Sequence, residues 1–134
     1  MFFCHALRLK PGEEVISCLK TFLDRNQLQA ACIVSCVGST KFTKLRLADS
    51  KTVMEFNKPH EVVSLVGTLS RDGFHLHASI SDEEAKVFGG HVMGVMEVYT
   101  TMELVIGELT HLQFTREYDD DSGYKELVIK QRET

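Results

Sequence analysis

The run Val15-Ile16-Ser17-Cys18-Leu19-Lys20-Thr21-Phe22-Leu23-Asp24-Arg25-Asn26 decides the fold class. Its apolar residues Val15, Ile16, Leu19, Phe22 and Leu23 fall at i, i+1, i+4, i+7 and i+8, the stripe of an amphipathic helix with one buried face. Pro11-Gly12 breaks whatever precedes it, and Glu13 and Glu14 place negative charge where a helix N-terminus favours it. The helix is expected to end near Asn26. The stretches on either side of it read as strands.

Before the helix, Phe2 to Lys10 reads as a strand with Phe3, Leu7 and Leu9 on one face. After it, strands are expected over Ala30 to Val37 (closed by Gly38-Ser39), Lys41 to Ala48, Thr52 to Phe56 and Val62 to Leu69. Further strands are expected over Phe74 to Ile80, Met93 to Tyr99, Met102 to Phe114 and Tyr124 to Lys130. One helix among many strands predicts an α+β fold, a single antiparallel sheet with the helix packed on one face. No repeat or linker interrupts residues 1–134, so one domain is expected. Val62-Val63-Ser64-Leu65-Val66 and Val92 to Val98 are apolar on both strand faces, more than one helix can cover. Association between copies of the chain is the expected remedy.

Composition narrows the partners. The 134 residues carry a net charge of -4 and a sequence pI of about 5.8. A free-standing DNA binder draws much of its affinity from neutralising phosphates, and the whole chain lacks the basic footprint for that. A local group of cations, Lys41, Lys44, Arg46, Lys51 and Lys58, is the one stretch that could meet nucleic acid, although with only Phe42 and Phe56 between them it lacks the aromatic interleaving typical of nucleic-acid platforms. No signal peptide is visible, and no apolar run reaches the ~18 residues of a membrane span. A cytoplasmic location is expected, with the nucleus open to so small a chain. Cys4, Cys18, Cys32 and Cys36 form no C-x-x-C pair and are expected to be buried, reduced thiols. Asp119-Asp120-Asp121-Ser122-Gly123 lacks the spaced ligands of a calcium loop and reads as a solvated turn.

The chemistry concentrates between His75 and His91. On a strand His75 and His77 share a face, with Cα atoms about 7 Å apart at the strand rise. His91 follows Gly89-Gly90, where the missing side chains permit a close backbone approach that could return a third imidazole to the same place. Three imidazoles with a fourth position open describe a catalytic-type zinc site, and nickel, copper and iron also accept imidazole. The competing reading is a set of hydrogen-bonded or subunit-facing histidines. Glu61 and Glu103 are carboxylates amid apolar strand residues, each either partnered or functional. Glu103 is the candidate catalytic residue, as an orienter of a histidine or as a general base. His5, His60 and His111 are scattered and expected to be structural or exposed.

Several of these segments stand together in a familiar order: Arg8 to Glu13, Ser35 to Ser39, Glu61 to Leu69, Phe74 to His91 and Gly123-Tyr124-Lys125-Glu126-Leu127. In this the chain resembles the PPC domain (plants and prokaryotes conserved). The resemblance implies an antiparallel sheet with one helix, assembled as a homotrimer. It implies a metal-competent histidine set, matched here by His75, His77 and His91. It also implies association with nucleic acid, which in plant proteins accompanies AT-hook segments that this chain lacks. Two departures stand out: Ala85 where glycine is common, and Asn57-Lys58-Pro59-His60 ahead of Glu61 where a shorter Phe or Tyr approach is usual. Two functions compete on this footing. One is a trimeric binding and assembly module with a histidine metal site and DNA association. The other is a zinc-type enzyme acting on a small polar molecule. A metal-stabilised trimer without catalysis is the plainest variant.

Overall fold

The computed structural model describes residues 1–133. The elements run β1 (Phe2–Leu9), α1 (Val15–Arg25), β2 (Ala31–Arg46), β3 (Val53–Phe56), β4 (His60–Ser70), β5 (Gly73–Ser81), β6 (Val87–Leu109), β7 (Leu112–Tyr118) and β8 (Lys125–Gln131). All strand pairings are antiparallel. The main sheet has the order β1-β6-β5-β4-β2-β3, and a further β2–β6 pairing closes β2, β4, β5 and β6 into a ring. Closure removes most of the open edge that a flat sheet would present.

The helix forms where its apolar stripe predicts, burying Val15, Ile16, Leu19 and Leu23. Glu14 caps it. One carboxylate oxygen accepts from the Ile16 amide and the other from the Ser17 amide, each at 2.8 Å. The first of these oxygens also accepts from the Met96 amide at 2.9 Å, which fastens the helix start to β6. The cap thus satisfies two orphan helix amides and sets the helix position in one stroke. Beneath the helix, Leu104, Ile106, Met96, Met102 and Val98 are fully or almost fully buried.

Three boundaries differ from the sequence reading, the first being that β6 begins at Val87 rather than Met93 and so carries Gly89, Gly90 and His91 within the strand. Gly38-Ser39 does not end a strand, because β2 runs on through both with bulges on either side. A Cβ on Gly38 would lie 2.1 Å from the Thr101 carbonyl oxygen, so this glycine marks a close approach of β6 to β2. Likewise β6 runs unbroken through Thr100-Thr101, and the break falls at Thr110-His111, with no Gly or Pro to announce it. The main body is the expected antiparallel sheet with one helix. Residues after His111 leave the main sheet and form a separate two-stranded ribbon, β7–β8. No ribbon residue belongs to the main core cluster.

The cysteines are free thiols, as expected, but not buried ones: Cys4 is exposed and Cys18, Cys32 and Cys36 are half-buried, with burial pushing Cys36 up to about 12. Asp119-Asp120-Asp121 is the ribbon's turn, held by the Gly123 amide donating to the Asp119 carbonyl at 2.8 Å. Among the described residues no helix is long and apolar enough to cross a membrane. Phe2, Phe3, Val34, Val37, Val63 and Val66 are exposed on the single chain; of these only Val63 and Val66 lie in the strands read as apolar on both faces, and Val92, Met96 and Val98 of the other such strand are buried.

Candidate metal centre

His75 and His77 project from the same face of β5, and the register sets His77 opposite His91 on β6. One nitrogen from each of the three rings lies within 4.8 Å of the other two. The nearest pair, His75 Nε2 and His77 Nε2, is 3.2 Å apart. Two nitrogens bound at 2.0–2.1 Å to a tetrahedral ion would be about 3.3 Å apart, so that pair already has ligand spacing. The third ring needs only a modest rotation about its soft χ2.

Gly90 brings His91 there. Arg46 on β2 is the register partner of His91, and a Cβ on Gly90 would lie 2.6 Å from the Arg46 carbonyl oxygen. Any side chain at that position would push β6 off β2 and carry His91 away from β5. Gly90 is thus a packing requirement of the histidine site.

The electrostatics favour neutral rings. His91 is lowered to about 4, first by burial, then by the Arg46 charge and by His75 and His77. His75 is also lowered, by burial first, then by His77 and Arg116, with Glu126 acting in the opposite sense. Neutral imidazoles keep the lone pairs that a metal needs. The buried Nδ1 of His91 has no hydrogen-bond partner in the protein. A buried polar atom left so costs about 1–3 kcal/mol unless a bound group takes it up. Ring type, spacing, charge state and this orphan nitrogen together fit a divalent transition metal.

Glu103 is not part of this cluster. It is exposed and sits opposite Arg8 and Val37, twelve residues beyond His91 on β6. At the strand rise that is roughly 40 Å along the chain. Glu61 is exposed as well, between Ser39 and Ser81. The carboxylate beside the triad is Glu126 of β8, with Arg46, Arg116 and Tyr124 around it. Sequence reasoning took Gly123 to Leu127 as part of a family likeness but gave it no place in the site. The ribbon brings that segment over the histidines by a turn in space that no local pattern encodes.

The other histidines behave as expected. His5 meets Glu108 at 3.2 Å, His111 Nδ1 meets the amino terminus at 3.2 Å, and buried His60 bonds the Lys58 carbonyl oxygen through Nδ1 at 2.9 Å. Three of the five cations in the local basic stretch stand near carboxylates, whereas Arg46 and Lys51 have no carboxylate partner among the described residues. Lys41 stands 3.7 Å from Glu97, Lys44 3.9 Å from Glu55, and Lys58 3.1 Å from Glu83.

Comparison with known proteins agrees with the fold. Residues 2–110 match the model of the Plants and Prokaryotes Conserved (PCC) domain. The bifunctional protein GlmU of a Synechococcus strain is 36% identical over 126 residues, 94% of this chain but 20% of its own. The chain thus spans about one fifth of the length of the curated relatives it matches. Among solved structures, a hypothetical protein of Salmonella enterica is 45% identical with a TM-score of 0.95, over 98% of this chain and 96% of its own. A metal-containing protein from Archaeoglobus fulgidus is 24% identical with a TM-score of 0.84, covering 94% and 93%. A candidate DNA-binding protein from Bacteroides thetaiotaomicron is 18% identical with a TM-score of 0.83, covering 93% and 91%.

Proposed function

Since the chain belongs to the Plants and Prokaryotes Conserved domain family, we propose that it is a homotrimeric binding module built around a transition-metal site held by His75, His77 and His91. The observation that carries this is the convergence of three imidazole nitrogens within 4.8 Å. Zinc is the metal proposed first, because three imidazoles with a fourth position open suit it. The metal-containing relative from Archaeoglobus supports the reading by its fold. When bound, the metal would supply a Lewis acid able to polarise an oxygen of a small molecule.

The trimer is supported by the exposed apolar surface. Phe2 and Val34 both crowd the space over Gly107, and Val63 and Val66 add to the apolar area on β4. Light scattering on the native protein should give about three times the 15.1 kDa chain mass. A role for Glu103 at the metal would have to come from a different copy of the chain than the one supplying the histidines.

A second reading, metal-dependent chemistry on a small polar molecule, is favoured by the cleft beside the triad, which is about 420 Å³ and includes His75 and His91 in its wall. That size suits a small ligand. DNA association is supported only by the naming of relatives that share the fold, and the paired lysines weigh against a phosphate-tracking face.

Zinc titration by calorimetry tests the central reading. The native protein should take up one zinc per chain with submicromolar affinity. His91→Ala should weaken it by a hundredfold or more. Equal binding by both proteins would refute the site.

A further inference from the structure

The cleft next to the histidines has a second chemical character. Its cations include Arg46 and Arg116, whose guanidinium groups come from different elements, β2 and β7. Arg116 is held firmly. Its backbone amide donates to Asp72, its Nη2 donates to Thr68 Oγ1 at 3.0 Å, and its stem packs 3.3 Å from where a Cβ of Gly73 would stand. Thr68 is the register partner of His75, so this anchoring places the guanidinium beside that ring. The Nε of Arg116 is nevertheless buried with no hydrogen-bond partner. Arg46 is the register partner of His91, and its guanidinium carbon sits 5.5 Å over the Tyr124 ring. Among the described residues neither guanidinium has a carboxylate partner.

Buried or half-buried arginines are ordinarily paired, because their fork of donors is costly to leave unmet. Here two such forks flank the histidine set, and Arg116 keeps a buried donor spare. Asp72 is engaged by the Arg116 amide, which leaves Glu126 as the cleft's other carboxylate. Arginine is the side chain best shaped to grip a carboxylate or phosphate through two parallel N–H donors.

We propose that the cleft formed by Arg46, Arg116 and Tyr124 beside the histidines is a binding site for a small molecule bearing an oxyanion, a carboxylate or a phosphate. Arg116 and Arg46 would hold the oxyanion, Tyr124 would fix Arg46 by stacking, and the rest of the molecule would lie toward the histidine rings. The proposal deepens the metal-site reading, since the metal would face the same ligand, but the arginine pair binds an oxyanion whether or not a metal is present.

The test is calorimetric titration of the native protein with malonate and, separately, with inorganic phosphate, each against sodium chloride at matched ionic strength. Metal content is measured on the same samples. Saturable binding of at least one anion is expected, weakened tenfold or more in Arg46→Ala and in Arg116→Ala. Arg46→Lys and Arg116→Lys, which keep the charge and the stem, are expected to fall between. Tighter malonate marks a carboxylic acid as the ligand class, and tighter phosphate marks a phosphorylated compound. Arginine-dependent binding to a protein that holds no metal would sustain this proposal while the metal reading fails. Absence of saturable binding to the native protein would overturn it, as would unchanged affinity in folded alanine variants. The lysine variants keep that judgement open to a clean answer if an alanine variant does not fold.

Discussion

The floor and the roof of the candidate site are built by different means. The floor is the histidine set on β5 and β6, two strands of the closed ring, and lies within the residues that match the family model. The roof is the β7–β8 ribbon, outside the main core cluster and beyond residue 110. The floor's geometry is fixed by strand register and by one glycine. The roof rests on a few polar anchors, chiefly Arg116 to Asp72 and Thr68 and the Phe114 amide to the Gln29 carbonyl at 3.0 Å. The difference teaches that the histidine set belongs wholly to the sheet, whereas the proposed ligand site needs the ribbon's Arg116, Tyr124 and Glu126 beside Arg46 of β2.

The largest expected effect breaks the floor. Gly90→Val forces a side chain into the Arg46 carbonyl and should cost on the order of 3 kcal/mol in urea unfolding, with metal affinity lost as His91 moves. Removing the roof should do less. A chain ending after His111 should still bind one zinc, lose its response to malonate and phosphate, and melt about 3–8 °C lower. Loss of metal in that truncated chain would show that floor and roof are one unit. A smaller change separates them electrostatically. Glu126→Gln should weaken zinc and strengthen oxyanion binding, each by about two- to fivefold, because one negative charge leaves the cleft. Calorimetry with both probes reads the opposite signs directly. The smallest effect lies in the β5–β6 turn. Ala85 holds a left-handed φ of 65°, so Ala85→Gly should stabilise by about 0.5 kcal/mol with metal binding unchanged.

Much of the floor was legible in the sequence. His75 and His77 share a face by strand parity alone, and Gly89-Gly90 before His91 signalled a close backbone approach, which Gly90 makes. The helix was legible from its stripe and the acidic start that supplies its cap. The unusual Ala85 was legible too, since a turn that favours glycine demands the conformation found there. What stayed hidden depended on contacts distant in sequence. Gly38 read as a stop because local pattern cannot tell a turn glycine from one that lets another strand pass. Glu103 drew attention as an acid among apolar residues, yet strand alternation simply turned it outward. Glu126, Arg46 and Arg116 come together only when the ribbon folds over β4 and β5, and no spacing along the chain announces that.

The most direct measurement is elemental analysis of the native protein beside a His75→Ala/His77→Ala variant, both purified without chelator. The account predicts about one zinc or similar transition metal per chain in the native protein and none in the variant. Both proteins free of metal, even after incubation with zinc at neutral pH, would contradict it.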